Sequence, residues 1–301
     1  MIYLEKFKLP TIDKEEKIIS KRATINGGAY GYVDNTYPCG IFSNKEFYNI
    51  TFKDITIFYG GNGSGKSTLL NVIANKMHLK RVSPFNSSEM FDLYTGACRY
   101  SFGWDMEGYQ YNIPHESRII TSDDIFDYML TVRDNNAEIS QGKEAARDTH
   151  DHLKYGATIK MNGLEDYEEY RLQVQARKKS VSRRQFIREL AGDEVKLNSN
   201  GETALLYFCE KIKNDTLCCL DEPENSLSPK MQLELVKMLE DLSHYCGCQL
   251  IIATHSPFLL ALNNARIYNL DETPVEICNW WELENTKIYY DFFKTHSDLF
   301  N

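Results

Sequence analysis

"IFYGGNGSGKSTLLNVIANK", Ile57 to Lys76, passes from an apolar strand pattern through a glycine-rich turn into a helix pattern. Ile55, Ile57 and Tyr59 alternate as strand residues do, while Leu69, Leu70, Ile73 and Met77 recur at helical spacing, so the turn joins a strand to a helix expected to end near His78. Gly60, Gly61, Gly63 and Gly65 let the backbone take positive φ and turn successive N–H groups inward, an anion-binding nest at a helix N-terminus. The run Gly60, Gly61, Asn62, Gly63, Ser64, Gly65, Lys66, Ser67, Thr68 fits G-x-x-x-x-G-K-[ST]. In that pattern Lys66 reaches the β- and γ-phosphates and the Ser67 hydroxyl ligates Mg²⁺. The stretch predicts a nucleoside triphosphate site.

Length and composition bound the rest. A chain of 301 residues with 42% hydrophobic and 12% aromatic content is globular and fits one large domain with an inserted lobe, or two small ones. No charged-then-apolar pattern opens the chain, and the most apolar stretches, "TLCCL" and "QLIIATHSPFLLAL", are short or interrupted by His255 and Pro257. The expectation is a soluble, cytoplasmic protein with no membrane insertion. The eight cysteines lie partly in apolar runs and form no C-x-x-C pair, the usage of reduced thiols; Cys246-Gly-Cys248 lacks the second pair a structural metal requires. A net charge of −9 argues against wholesale coating of nucleic acid but leaves room for a local basic patch.

Residues 1–59 read as short strands and turns, and 82–114 as short aromatic strands. In "SRIITSDDIFDYML" a strand, Arg118 to Thr121, turns into a helix that Ser122 or Asp123 caps. Residues 122–195 are strongly charged and helical in composition, with expected breaks at Gly142, Gly156, Gly163 and Gly192, and form the predicted inserted lobe. From 196 to 301 the pattern returns to alternating helix and strand, so the α/β core is divided between 1–121 and 196–301.

In "TLCCLDEPE" four apolar residues, Leu217 to Leu220, deliver Asp221 and Glu222 to the C-terminal end of a buried strand, where open α/β sheets bind ligands. Asp221 is suited to hold Mg²⁺ and Glu222 to orient and deprotonate the attacking water. "QLIIATHSP" brings His255 to the same edge, placed to donate to a γ-phosphate. In "KLNSNGETALLYFCEKI", Ser199 and Gly201 precede a helix pattern and make a second anion site with no partner on its own chain, a surface suited to the nucleotide of a second subunit.

These segments together resemble the ABC-type ATPases, and within them soluble bacterial ATPases with "DEPE…LSP" and "ATHSP" segments. The resemblance spans about residues 40–80 and 195–270. "GGNGSGKST" is similar to the Walker A loop, "NSNGE" to the signature motif, "TLCCLDE" to Walker B, "NSLS" (Asn225 to Ser228) to the D-loop, and His255 to the switch histidine. It implies an α/β P-loop NTPase fold, an ABC-type ATPase head with an inserted mainly helical lobe, that hydrolyses ATP with Mg²⁺. It also implies an ATP-dependent homodimer, closed head to tail, in which Ser199 and Gly201 of each subunit face the other's γ-phosphate. Glu202 stands where transporters carry Gln and Asn200 where they carry Gly; the Glu form resembles the chromosome-maintenance and DNA-repair branch, yet no long coiled coil is present. The Q-loop glutamine is missing, and Ser122, Asp123 or Asp124 is left to position metal or water; Asp123 is the candidate ligand beside Ser67 and Asp221. Tyr37 and Phe42 are the candidates for stacking on adenine, or else core and loop aromatics.

"RLQVQARKKSVSRRQFIREL" carries Arg171, Arg177, Lys178, Lys179, Arg183, Arg184 and Arg188. Ser182 with Gln185 reads as a capping box, starting a helix at Arg183 with Phe186, Ile187 and Leu190 inward. Residues 171–188 either meet phosphates of DNA or RNA or form a solvated face paired with "GLEDYEEY". His150 and His152 in "DTHDH" read as a polar loop. Two functions follow: an ATPase that drives a conformational change in a protein or nucleic-acid partner, in genome maintenance or phage defence, or the nucleotide-binding subunit of a membrane ABC transporter.

Overall fold

A computed structural model describes residues 1–27, 35–159, 166–178, 180–191, 200–225 and 227–300. The chain runs β1 (Leu4–Lys8), α1 (Ile12–Gly27), β2 (Asn49–Thr51), β3 (Ile55–Tyr59), α2 (Lys66–Lys76), α3 (Glu89–Ala97), β4 (Arg99–Phe102) and β5 (Arg118–Thr121). Three charged helices follow, α4 (Ser122–Tyr155), α5 (Tyr167–Arg177) and α6 (Arg183–Ala191). Then come α7 (Asn200–Lys211), β6 (Leu217–Asp221), α8 (Pro229–Tyr245), β7 (Gln249–Thr254), α9 (Pro257–Leu260), β8 (Arg266–Asn269), β9 (Glu276–Cys278) and α10 (Glu284–Thr295).

Two compact units result: Met1–Ile125 with Asn200–Asn301, and Phe126–Ser199. In the first, a six-stranded sheet has the order β5-β6-β7-β3-β8-β9 and is parallel except for β9, which pairs antiparallel with β8. All five residues of β3 and all six of β7 are buried, as central parallel strands covered on both faces must be. A smaller antiparallel sheet, β2-β1-β4, lies in the same unit. The apolar face of α2, with Leu69, Leu70, Val72 and Ile73 fully buried, shares one core with Phe58, Phe91 and Tyr94. Parallel register aligns the strand ends: Thr121 opposite Asp221, Asp221 opposite Ala253, and Thr254 and Asn269 on either side of Tyr59.

Several sequence expectations are corrected here. Within 1–59, expected as short strands and turns, lies the helix α1. Its first turn is closed by the Thr11 carbonyl, and it is anchored by the buried Glu15, whose Oε2 accepts from Gly40 N and Ser43 Oγ (2.9 and 2.6 Å). A charged helix held by one buried carboxylate shows no apolar stripe to read. In 82–114 the aromatics taken as strand residues lie partly on α3, where Phe91 and Tyr94 are buried three apart and Ser88 caps the helix by accepting from Phe91 N. The helix after β5 is capped by Thr121 rather than by Ser122 or Asp123. The buried Asp124 carboxylate accepts from Thr121 N (2.7 Å) and from Ser83 N (2.8 Å), while Asp124 N donates weakly to Thr121 Oγ1 (3.4 Å).

In the second unit α4 runs through Gly142 without a break, because a single glycine costs a long helix only about 1 kcal/mol. Its core is Leu153, Ala176 and Phe186. His150 is buried there, its ring 5.2 Å from that of Phe186 and its Nδ1 3.0 Å from Asp151. α6 starts at Arg183 with Ser182 Oγ accepting from Gln185 N, yet only half of the expected box forms, since the Gln185 side chain donates to Glu189. Phe186 is buried as expected, but Leu190, expected inward, is exposed, since the small core of this unit, Leu153, Ala176 and Phe186, does not include it. Arg177 is spent within the fold: its guanidinium donates to Leu153 O, Gly156 O and Thr158 Oγ1, satisfying carbonyls at the C-terminus of α4. Arg171 pairs with Glu168 one turn away, and Lys179 lies outside the described residues.

Candidate active site

β3 ends at Tyr59 and the chain turns over the sheet edge before α2 begins at Lys66. Gly65 takes φ +101°, and a Cβ there would lie 2.9 Å from Ile41 Cγ2, so both backbone angle and space demand glycine. At Gly60 a Cβ would meet Ser64 Oγ at 2.4 Å. Lys66 is buried, and its Nζ donates to Gly60 O (2.6 Å) and Gly61 O (3.0 Å) of its own loop while standing 3.6 Å from Glu222 Oε1. Ser67 Oγ donates to Asp221 Oδ1 at 3.0 Å, joining the start of α2 to the end of β6. Thr68 Oγ1 accepts from the Tyr37 hydroxyl at 3.0 Å, and the Tyr37 ring stacks on Phe91. Of the two adenine candidates, Phe42 is fully buried and packs against Gly65, while Tyr37 reaches the phosphate loop itself. Asn62 is exposed at the crest of the loop.

Glu222 follows Asp221 with φ +47°, a left-handed conformation that costs a non-glycine residue on the order of 1 kcal/mol. Its N–H donates to Ala253 O (2.9 Å), and Asn225 Nδ2 donates to its Oε2 (3.2 Å), so the turn is held from two sides. The half-exposed His255 places Nδ1 3.8 Å from Glu222 Oε1 and 3.5 Å from Glu224 Oε1. Lys66, Ser67, Asp221, Glu222 and His255 therefore meet at one sheet edge, although they come from three separate segments. Asp123 sits exposed in the first turn of α4, and among the described residues no hydrogen bond or ion pair joins it to Ser67 or Asp221. Ser199 lies outside the described residues. Gly201 is buried in the first turn of α7, where a Cβ would lie 2.8 Å from Met231 Cγ of α8.

Three further residues hold the site and were not found by sequence reasoning. Glu224, 5% exposed, accepts through Oε1 from Thr254 Oγ1 (2.6 Å), His255 N (3.0 Å) and Ser256 N (3.2 Å). Ser256 Oγ donates in turn to Gln232 Oε1, and Gln232 Nε2 to Leu227 O, so one polar network ties the turn after β6 to the loop carrying His255. Its only signal was an acid two residues beyond Glu222. Asp271 accepts from Gly61 N with both oxygens (3.0 and 2.8 Å), and Lys45 Nζ donates to Ser64 O and Leu270 O (2.7 and 2.5 Å). Together they brace the phosphate loop from outside, and no sequence pattern marks either.

The donor set fits Mg-ATP. Burial pushes the Asp221 carboxyl up to about 6, with the neighbouring Glu222 charge adding to the rise and the Ser67 hydrogen bond opposing it. A buried carboxylate so disfavoured as an anion is relieved by a cation beside it. Mg²⁺ is ordinarily held by one or two protein oxygens with phosphates and water completing its shell, and Asp221 and Ser67 supply that number. A strand, a glycine-rich turn and a helix carrying Lys66, facing an acid pair on a second strand, define a P-loop nucleoside triphosphatase.

Comparison with known proteins takes this class one step further. A family model described as ABC transporter matches residues 48–225, more than half of the chain, and a model described as an AAA domain, with the AbiEii toxin of type IV toxin–antitoxin systems in its description, matches 203–261. The chain belongs to the ABC-type ATPases, ATP hydrolases that use Mg-ATP. ABC transporter G family member 7 of Dictyostelium discoideum is 25% identical over 255 residues, covering 79% of this chain and 24% of that protein. The chain thus spans about a quarter of that relative's length. Petrobactin import ATP-binding protein YclP of Bacillus subtilis is 24% identical over 228 residues, covering 71% of this chain and 74% of its own. Among solved structures, the SMC head domain from Thermotoga maritima aligns with 92% of this chain and 98% of its own at 15% identity and a TM-score of 0.39. No helix among the described residues is long and apolar enough to cross a membrane.

Proposed function

We propose that the chain is an ATPase head that closes head to tail with a second copy over two Mg-ATP and uses hydrolysis to change the conformation of a protein or nucleic-acid partner, in genome maintenance or phage defence. The observation that carries this reading is the meeting of Lys66, Ser67, Asp221, Glu222 and His255 at one sheet edge. Lys66 exchanges its loop carbonyls for the β- and γ-phosphate oxygens; Ser67 and Asp221 hold Mg²⁺, which neutralises phosphate charge when bound. Glu222, held by Asn225 and Ala253, orients and deprotonates the attacking water, and His255 donates to the γ-phosphate as charge develops there. Asp123 remains the candidate for the missing Q-loop role, and Ser199 with Gly201 for contact with the partner's nucleotide. Glu202, the absent Q-loop glutamine and the match to an AAA domain of toxin systems support a role outside transport.

A second reading, the nucleotide-binding subunit of a membrane transporter, is favoured by the likeness to the petrobactin importer's ATP-binding protein over 74% of that relative. Glu222→Gln tests the hydrolytic dimer. It is expected to retain ATP, hydrolyse it slower by roughly 10²-fold or more, and elute as a dimer in size-exclusion chromatography with Mg-ATP. A variant that stays monomeric while hydrolysing at the normal rate would overturn both the role and the dimer.

A further inference from the structure

In the second unit, α4 and α6 pack where Gly142 faces Ala191, so that a Cβ on Gly142 would lie 3.6 Å from Ala191 Cβ, and where His150 meets Phe186. Beside these contacts a cavity of about 530 Å³ is lined by Lys143, Arg147, Arg183, Arg184, Ile187 and Arg188. Five of the six are cations and none is a carboxylate. On α4 Lys143 and Arg147 stand four apart, and on α6 Arg184 and Arg188 do the same, so each wall presents two positive charges on one helical face, about 6 Å apart along the axis. Arg183 pairs with Asp151 at one end. In a chain with 43 acidic and 34 basic residues, five cationic side chains around one concavity make a local positive surface that favours an entering anion.

We infer that this cleft binds a single strand of nucleic acid through its phosphates. Cations on both walls of a concave groove enclose one strand of phosphates, whereas duplex recognition puts a protruding helix or ribbon into a groove. Four of the five are arginines, whose planar forks match phosphate oxygens bidentately. Half-buried Ile187 is the apolar member of the lining, and among the described residues no aromatic lines the cleft, so binding follows the backbone with little base preference. The sequence run 171–188 misplaced this surface. Arg177 is spent on carbonyls of the fold, Arg171 pairs with Glu168 on the surface, and the second wall comes from Lys143 and Arg147, some forty residues upstream.

The inference rests on the ATPase reading only in naming its partner, and its test does not require hydrolysis. Fluorescence anisotropy of a labelled oligo-dT with the full chain, without nucleotide, is expected to show binding at low salt that weakens as salt rises, with a log–log slope of about −0.7 per phosphate neutralised. Arg147→Gln with Arg184→Gln is expected to reduce the magnitude of that slope by about 1.4 and weaken binding at least 10-fold at moderate salt. Its ATP hydrolysis and ATP-dependent dimerisation should match wild type, so a failure of the ATPase reading would show separately in those assays. Absence of oligo-dT binding by wild type at low salt overturns the inference. So does an unchanged slope in the double variant, or binding of polyglutamate in preference to oligo-dT, which would make the partner an acidic protein.

Discussion

Replacing Glu224 by alanine probes the coupling between the acid turn and the switch histidine. Its Oε1 accepts three hydrogen bonds at 2.6 to 3.2 Å in a buried position. Ser256 N keeps a second acceptor in Thr254 Oγ1 at 3.0 Å, so the variant strands two donors, the Thr254 hydroxyl and His255 N. At about 1–3 kcal/mol for each stranded buried donor, the loss is about 2–6 kcal/mol, or a fall of roughly 4–24 °C in midpoint for a unit of this size. His255 also loses the carboxylate 3.5 Å from its Nδ1 and the anchor on its backbone, while the Lys66 loop is untouched. At saturating ATP, kcat is therefore expected to fall about 10-fold, equivalent to about 1.4 kcal/mol of barrier, with the Kd for ATP within about 2-fold of wild type. Glu224→Gln keeps an acceptor at Oε1 and should recover most of the thermal loss but not all of kcat, since the charge beside His255 is gone. Circular dichroism melting, a coupled ATPase assay and calorimetry read the three quantities. An alanine variant with unchanged midpoint and kcat would refute the coupling; equal losses in kcat and ATP affinity would make Glu224 a purely structural brace.

Other expectations follow from the same edge. Lys66→Ala should abolish ATP binding in calorimetry, because it removes the positive charge from the phosphate nest; undiminished affinity would contradict the site. Since burial raises the Asp221 carboxyl from 3.8 to about 6, the metal-free fold has this group's full contribution below pH 4 and loses it as pH rises through 6. Mg²⁺ favours the ionised form, so the midpoint shift that Mg²⁺ adds in the presence of ATP should grow from pH 5 to pH 7.5, and a shift independent of pH would remove Asp221 from the metal site. Ser199→Arg should leave ATP binding intact yet block the ATP-dependent dimer; loss of binding itself would assign Ser199 to its own subunit's nucleotide.

Residues 57–76 alone determined the phosphate loop, because its chemistry is local: glycines, a lysine and a serine within nine residues shape a nest from their own backbone, and flanking periodicities fix strand and helix. Asp221, Glu222 and His255 were legible for a related reason, as polar residues just past buried strands rich in apolar residues. Tertiary structure decided what stands beside what. That β7 lies between β3, which leads into the Lys66 loop, and β6, which bears Asp221, so that His255 faces Glu222, has no trace in any of these segments, since parallel strands join through distant crossovers and periodicity encodes a buried face, not its neighbour. Glu224, Asp271 and Lys45 brace the site through two or three long-range hydrogen bonds each, to backbone or hydroxyl groups, which impose no pattern on surrounding residues. The helices α1 and α3 were hidden because one buried carboxylate holds the first and aromatic content masks the period of the second. The basic cleft pairs α4 with α6, and charge density along a chain says nothing about which cations the fold spends on its own carbonyls, as it does Arg177, and which it gathers around open space.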